Sequence, residues 1–149
     1  MTVYVPIPNL QARALPAAGA YYTSATAVAI QGQWRENHVG DPSITFRVTY
    51  TKGGSSSGGY PVMRVVWVAI DNTGTEVDMP DPLITAGTGG VCTTDVAANK
   101  LTALTDGNPL TIGVPYIVLR EAAKVRVEVA EFGDTTHPGT ITVAMLGGL

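Results

Sequence analysis

The chain has 149 residues, a formal net charge of −3 and a pI near 5.2, enough length for one core that buries about two-thirds of the surface the unfolded chain exposes. Its nine basic residues are scattered, which argues against a nucleic-acid partner. No apolar run approaches the roughly 20 residues of a membrane helix, so no membrane partner is expected.

Charged residues are 14% and hydrophobic ones 45% of the chain, with Gly 17 and Pro 10, a mixture that suits a turn-rich all-β protein better than a helical one. The opening Met1-Thr-Val-Tyr-Val-Pro6 lacks the charged and apolar regions of a secretion signal, so the expectation is a soluble protein made in a cytoplasm. Cys92 is the only cysteine, which rules out an intrachain disulfide. With no basic neighbour in Gly89-Gly-Val-Cys-Thr-Thr94 to lower its pKa, it reads as an inert, buried thiol.

In chain order, residues 1–18 form an N-terminal segment and 19–149 the main β-domain. Val3, Tyr4, Val5, Ile7 and Leu10 are interrupted by Pro6 and Pro8, which withhold backbone donors and keep the chain extended. This segment is either an edge strand of its own domain or an arm laid on a neighbouring subunit. Deleting the residues before Gly19 is expected to leave the fold intact and abolish partner binding.

Tyr21 to Gln33 predicts a strand of small and β-branched residues, closed by Trp34 and followed by the loop Asn37-His-Val-Gly-Asp-Pro42. From Ser43 to Asp71 the pattern is strongest. Ile44, Phe46, Val48 and Tyr50 alternate with Thr45, Arg47, Thr49 and Thr51, the period of a strand with one buried face. After Lys52-Gly-Gly-Ser-Ser-Ser-Gly-Gly59, the run Val62-Met-Arg-Val-Val-Trp-Val-Ala-Ile70 predicts a central strand covered on both faces. The two runs read together as one long hairpin with a mobile tip.

Asp71-Asn-Thr-Gly74 is a tight turn, and residues 78–109 lose periodicity, a connection long enough to expect contacts from it, Ile84 among them. Three strands follow, Leu110 to Arg120, Lys124 to Glu131 and Thr140 to Leu146, the last two joined by the turn Gly133-Asp-Thr-Thr-His-Pro-Gly139. The expectation is an antiparallel β-sandwich of about seven or eight strands with long loops, the jelly roll being one arrangement that fits.

No catalytic constellation stands out. Asp71, Glu76, Asp78 and Asp81 invite a calcium reading, but a twelve-residue calcium loop counted from Asp71 ends on Pro82 where a Glu is required. His38 and His137 lack zinc-like spacing, and no Gly-x-Ser-x-Gly elbow is present. The glycine-rich stretch 52–59 lacks the Gly-Lys-Ser/Thr of a phosphate loop. Tyr21, Tyr22, Trp34, Tyr60 and Trp67 could supply a sugar-binding platform, although Trp67, between valines, reads as core. No enzyme, metal or cofactor is expected.

The strand Ile44-Thr-Phe-Arg-Val-Thr-Tyr-Thr51, the glycine-rich tip, the apolar return strand and a closing hairpin of Val125 to Glu131 with Thr140 to Val143 together resemble the small all-β virion proteins of tailed bacteriophages. The resemblance spans residues 21–146. It implies a non-enzymatic structural role on a virion, with synthesis in the host cytoplasm: a capsid decoration or cement protein, or a tail-associated subunit. Its partners would be the major capsid protein or other virion subunits, with homo-oligomers such as trimers expected. Val3, Tyr4, Val5, Ile7, Leu10, Trp34 and Ile84 are the expected partner contacts. A tail-tip module that binds receptor or glycan is the alternative.

Overall fold

The computed structural model describes residues 3–16, 19–29, 43–54, 59–78, 84–86, 92–93, 109–115, 122–133 and 136–147. Every regular element among them is a strand: β1 (Val3–Pro6), β2 (Arg13–Ala14), β3 (Val28–Ala29), β4 (Ser43–Thr51), β5 (Tyr60–Ile70), β6 (Glu76–Asp78), β7 (Ile84–Ala86), β8 (Cys92–Thr93), β9 (Leu110–Pro115), β10 (Ala122–Phe132) and β11 (Thr140–Gly147). Two antiparallel sheets result. The first has the order β1-β11-β4-β9, with β2 also on β11; the second runs β3-β10-β5-β7-β8, with β6 also on β5.

The alternation seen in the sequence decides which side chains enter the core. Phe46, Val48 and Tyr50 of β4 and Ile141, Val143 and Met145 of β11 supply the inner face of the first sheet. Met63, Val65 and Trp67 of β5 and Val125, Val127 and Val129 of β10 supply that of the second, and all belong to one buried cluster. Two sheets closing on one shared core is the plan of a β-sandwich. Strand β5 is central, between β10 and β7, and its outward Val62, Val66 and Val68 are buried too, so both of its faces are covered as expected.

Neither expected hairpin forms. Strand β4 pairs with β11 and β9, while β5 pairs with β10, β6 and β7 in the other sheet. Consecutive strands β4 and β5 therefore belong to opposite layers. So do β10 and β11, the turn after β10 delivering β11 to the opposite sheet rather than alongside β10. The physical reason is that β4, β5, β10 and β11 each have a strongly apolar face turned to the core. Facing each other across the core buries both apolar faces, whereas pairing side by side would leave each to find its cover elsewhere.

The first part of the chain runs along β11. Val3 to Pro6 pair with Gly147 to Ala144, and the Ile7 amide then donates to the Val143 carbonyl at 3.0 Å. The Val143 amide donates to the Leu10 carbonyl at 2.9 Å, Arg13 and Ala14 pair with Ile141 and Thr140, and the Leu15 amide reaches Gly139. Between these contacts Asn9 and Ala12 take positive φ, 66° and 49°, so the strand bulges rather than running straight. Prolines and bulges together blunt this edge against further pairing. Ile7, Leu10 and Leu15 are buried in the shared core.

The strand expected over residues 21–33 is reduced to two short attachments on β10. Tyr22 forms an isolated bridge with Val129, and β3 pairs with Lys124 and Val125. Its Ser, Thr and Ala side chains bring little apolar area to hold a longer edge strand in place. Residues 30–33, Trp34 and the loop 37–42 lie outside the described residues.

Candidate functional site

The outward face of the second sheet carries a ladder of charges whose partners are set by strand register. Arg64 lies opposite Glu128, and its Nε and Nη2 approach Glu128 Oε2 at 2.6 and 2.5 Å. Glu128 Oε1 accepts from Arg126 Nη2 at 2.9 Å, so this buried carboxylate is held between two guanidiniums. Arg126 also reaches β6, where both Asp78 oxygens accept from it at 2.7 and 2.6 Å. This fork is the strong form of an Arg–carboxylate contact. It holds the Asp78 carboxyl below its ordinary pKa and raises that of the guanidinium. Lys124 closes the ladder on Glu76.

Beyond the ladder lies an aromatic corner. Tyr60 and Phe132, paired across β5 and β10, stack with centroids 6.3 Å apart, and Tyr21 meets Phe132 edge-on at 6.5 Å. The Arg64 guanidinium lies 3.9 Å from the Tyr21 ring centroid, joining the corner to the ladder. Partial burial raises the Tyr21 hydroxyl pKa. Gly19 fits this corner because its φ is +71° and an added Cβ would come within 2.8 Å of the Phe132 ring.

At the far end of β5, residues 70–78 form an exposed hairpin. Asp71 Oδ1 accepts from the Thr73 amide at 2.8 Å, the Thr73 hydroxyl at 2.6 Å and the Thr75 amide at 2.9 Å. The Asp71 amide donates to the Thr75 carbonyl, and Gly74 takes φ +84°. A side-chain-closed turn of this kind holds its shape before any partner arrives. On it Ile70 and Val77 are 40% and 46% exposed, the large apolar side chains that stand out on this hairpin.

The outward face of the first sheet is different in character. Thr45, Thr49 and Thr51 of β4 alternate with Arg47, and Thr51 and Thr49 lie opposite Thr140 and Thr142 of β11. Arg47 is exposed and sits 5.8 Å from the ring centroid of Tyr4 on β1.

The residues expected to contact partners are scattered among these features. Tyr4 lies half-buried beneath Arg47, and Val5 is 39% exposed on the edge strand. Ile7 and Leu10 are corrected: they are 1% and 0% exposed, committed to the core of their own chain, and offer a neighbour nothing. Val3 and Ile84 are strand residues in β1 and β7, and Trp34 lies outside the described residues. Trp67 is core, so of the aromatic platform residues Tyr21 and Tyr60 are brought together, while Tyr22 packs under Arg13 at 4.9 Å. Of the acidic residues weighed for calcium, Asp71 is engaged by its turn and Glu76 and Asp78 by Lys124 and Arg126, while Asp81 lies outside the described residues. Among the described residues no group of three or more His, Cys, Asp or Glu could hold a metal.

Sequence reasoning missed Phe132, Ile70 and Val77. The turn signal at Asp71-Asn-Thr-Gly74 was legible and could have marked its flanking apolar residues as a projection. Comparison with known proteins finds no matching family, no matching curated protein and no matching solved structure.

Proposed function

We propose that this chain is a non-enzymatic virion structural protein, a capsid decoration or cement protein that binds the outside of a shell and stabilises it. The observation that carries the reading is strand order. Taken as sets of four, β1-β11-β4-β9 and β3-β10-β5-β7 alternate between layers as the strands of a jelly roll do, an architecture used by capsid and lectin domains. The engagement of the described surface carboxylates in ion pairs and a turn supports a building block rather than a reaction centre. The outward face of the first sheet around Arg47, the exposed hairpin and the Tyr4–Val5 edge are the surfaces available to a major capsid protein or sister copies.

The test is to mix the purified chain with bare particles of the associated shell protein. Stoichiometric co-sedimentation, a raised particle melting temperature and density on the outer surface by cryo-EM are expected. Particles that bind none of it would overturn the assignment.

A second reading, a tail-associated glycan- or receptor-binding module, is favoured by the corner of Tyr21, Tyr60 and Phe132 beside Arg64 and Glu128. Half-buried rings next to charged hydrogen-bonding groups are what a sugar site uses. A glycan array with hits that Tyr60→Ala removes would move the assignment to this reading.

A further inference from the structure

Three strands meet at Val68. Lys124 of β10 lies opposite it on one side and Asp78 of β6 on the other, while Arg126 lies opposite Val66 and Glu76 opposite Ile70. Strands β10 and β6 are thus two strand spacings apart, about 9.5 Å, a gap that long side chains bridge. Arg126 crosses it to hold both Asp78 oxygens, at 2.7 and 2.6 Å, and Lys124 crosses it to Glu76. Both bridges run diagonally, one between the rows of Val66 and Val68 and the other between those of Val68 and Ile70. Among the described residues these ion pairs are what cross above Val68. Val66 and Val68 are buried although both face outward, and Ile70, on the same face just past the second bridge, is 40% exposed.

Carboxylates fasten this hairpin at both ends. Asp71 Oδ1 ties the tip, and Glu76 and Asp78 tie the base. Glu76 and Asp78 remain 43% and 52% exposed, within reach of solvent protons. The other charged or titratable groups facing this region are Arg64 and Glu128 in the ladder and Tyr21 beside Arg64; β3 contributes none. Arg126 Nη2 also donates to Glu128 Oε1 at 2.9 Å, so the guanidinium keeps a partner when Asp78 lets go.

We propose that the two bridges are an acid-sensitive clasp. While Glu76 and Asp78 are charged, β6 is fastened over β5; when they are protonated, β6 lifts and uncovers a strip of Val66, Val68 and Ile70. The Arg126 fork holds the Asp78 carboxyl below its ordinary pKa. With the folded value lowered, the fastening is complete above the unfolded value near 3.9 and is lost as pH falls through the folded one. Asp71 loosens in the same direction, so tip and base release together. The shared core packs on the opposite face of β5, at Met63, Val65 and Trp67, so the opening is local.

Native-state hydrogen exchange of the full chain, read at the amides of Glu76–Asp78, tests the clasp. At neutral pH Asp78→Asn should speed their exchange about fivefold, the factor supplied by an ion pair at the upper end of the exposed range. Glu76→Gln should speed it less. The double variant should show, already at neutral pH, the accessibility of the Val68 methyls to a soluble paramagnetic probe that the wild type gains in acid. The Val48 and Val143 methyls in the core should stay shielded throughout, which also reports that each variant is folded. Unchanged β6 exchange in Asp78→Asn would overturn the proposal. So would Val68 methyls that become accessible only together with those of Val48 and Val143.

Discussion

The Tyr50 hydroxyl donates a 2.6 Å hydrogen bond to Glu131 Oε1 across the core, from β4 in the first sheet to β10 in the second. Glu131 Oε2 accepts from the Gly139 amide at 2.7 Å, just before β11 begins. One buried carboxylate thus ties together both layers and the turn that joins them. Tyr50→Phe removes a donor to a buried charge and should cost about 1–3 kcal/mol. Chemical denaturation should show a lower midpoint with an unchanged m-value. A midpoint equal to that of the wild type would mean the contact contributes nothing to stability.

The crossing turns depend on close backbone approach. A Cβ on Gly139 would lie 2.5 Å from the Thr51 carbonyl oxygen and 2.6 Å from the Tyr50 ring, and one on Gly53 would collide with the carbonyls of His137 and Pro138. Gly139→Ala and Gly53→Ala should each destabilise by about 1–3 kcal/mol through overpacking. Gly74→Ala meets no atom within 4 Å and should cost about 1–2 kcal/mol from its positive φ. Melting curves of the three variants separate the crowding effect from the conformational one, because Gly74→Ala should leave the core signals of the near-ultraviolet spectrum unchanged.

In the charge ladder, burial ranks the pairs. Glu128 is 3% exposed against 43% for Glu76, so the Arg64–Glu128 pair is screened far less than Lys124–Glu76. Double-mutant cycles should give a coupling of about 1–3 kcal/mol for Arg64 with Glu128 and under about 1 kcal/mol for Lys124 with Glu76. Equal couplings in the two cycles would contradict this ranking.

The hairpin should respond to acid in a defined direction. The Thr73 hydroxyl, then the Thr75 and Thr73 amides, lower the pKa of Asp71 in the folded state. Its contribution to stability is therefore present above the unfolded value near 3.9 and is lost as pH falls through the lower folded value. NMR titration of the Thr73 and Thr75 amides should give a midpoint below that of free aspartate, and Asp71→Asn should abolish the transition. A midpoint at or above the free value would refute the assignment.

Residues 3–15 are structural. Ile7 and Leu10 are fully enclosed, so Ile7→Ala and Leu10→Ala should each cost about 2–5 kcal/mol. Removing residues 1–15 should abolish cooperative unfolding, the reverse of what an independent arm implies. A truncated chain that melts sharply near the wild-type temperature would restore the arm.

Periodicity in the sequence located β4, β10 and β11 because each has to bury one face, and that requirement is written into alternate residues; β5 was legible instead as an unbroken apolar run, buried on both faces. Their partners were not legible. A link such as 52–59 or 133–139 has the same turn chemistry whether it closes a hairpin or arches over the core, and only the competition among strands for neighbours decides between them. Ile7 and Leu10 were ambiguous for a related reason, since an apolar edge strand and an apolar arm have the same composition. The charge ladder was half visible. Lys124, Arg126 and Glu128 alternate outward in β10, but the assignment of Arg64 and Asp78 to them needs the register of β5 and β6. Ile70 and Val77 could be read as apolar strand residues but not as uncovered ones.

Strand β11 lies between β1 and β4. On the ribosome, Val3–Pro6 and the enclosed Ile7 and Leu10 have no seat until Thr140–Gly147 has been synthesised. Closure of that sheet therefore cannot precede the synthesis of β11, and non-local pairing of this kind is slow, on the order of milliseconds to seconds. Chains stalled before residue 140 would present bare apolar segments to chaperones and to one another, so the yield of soluble protein should fall with interruptions late in synthesis.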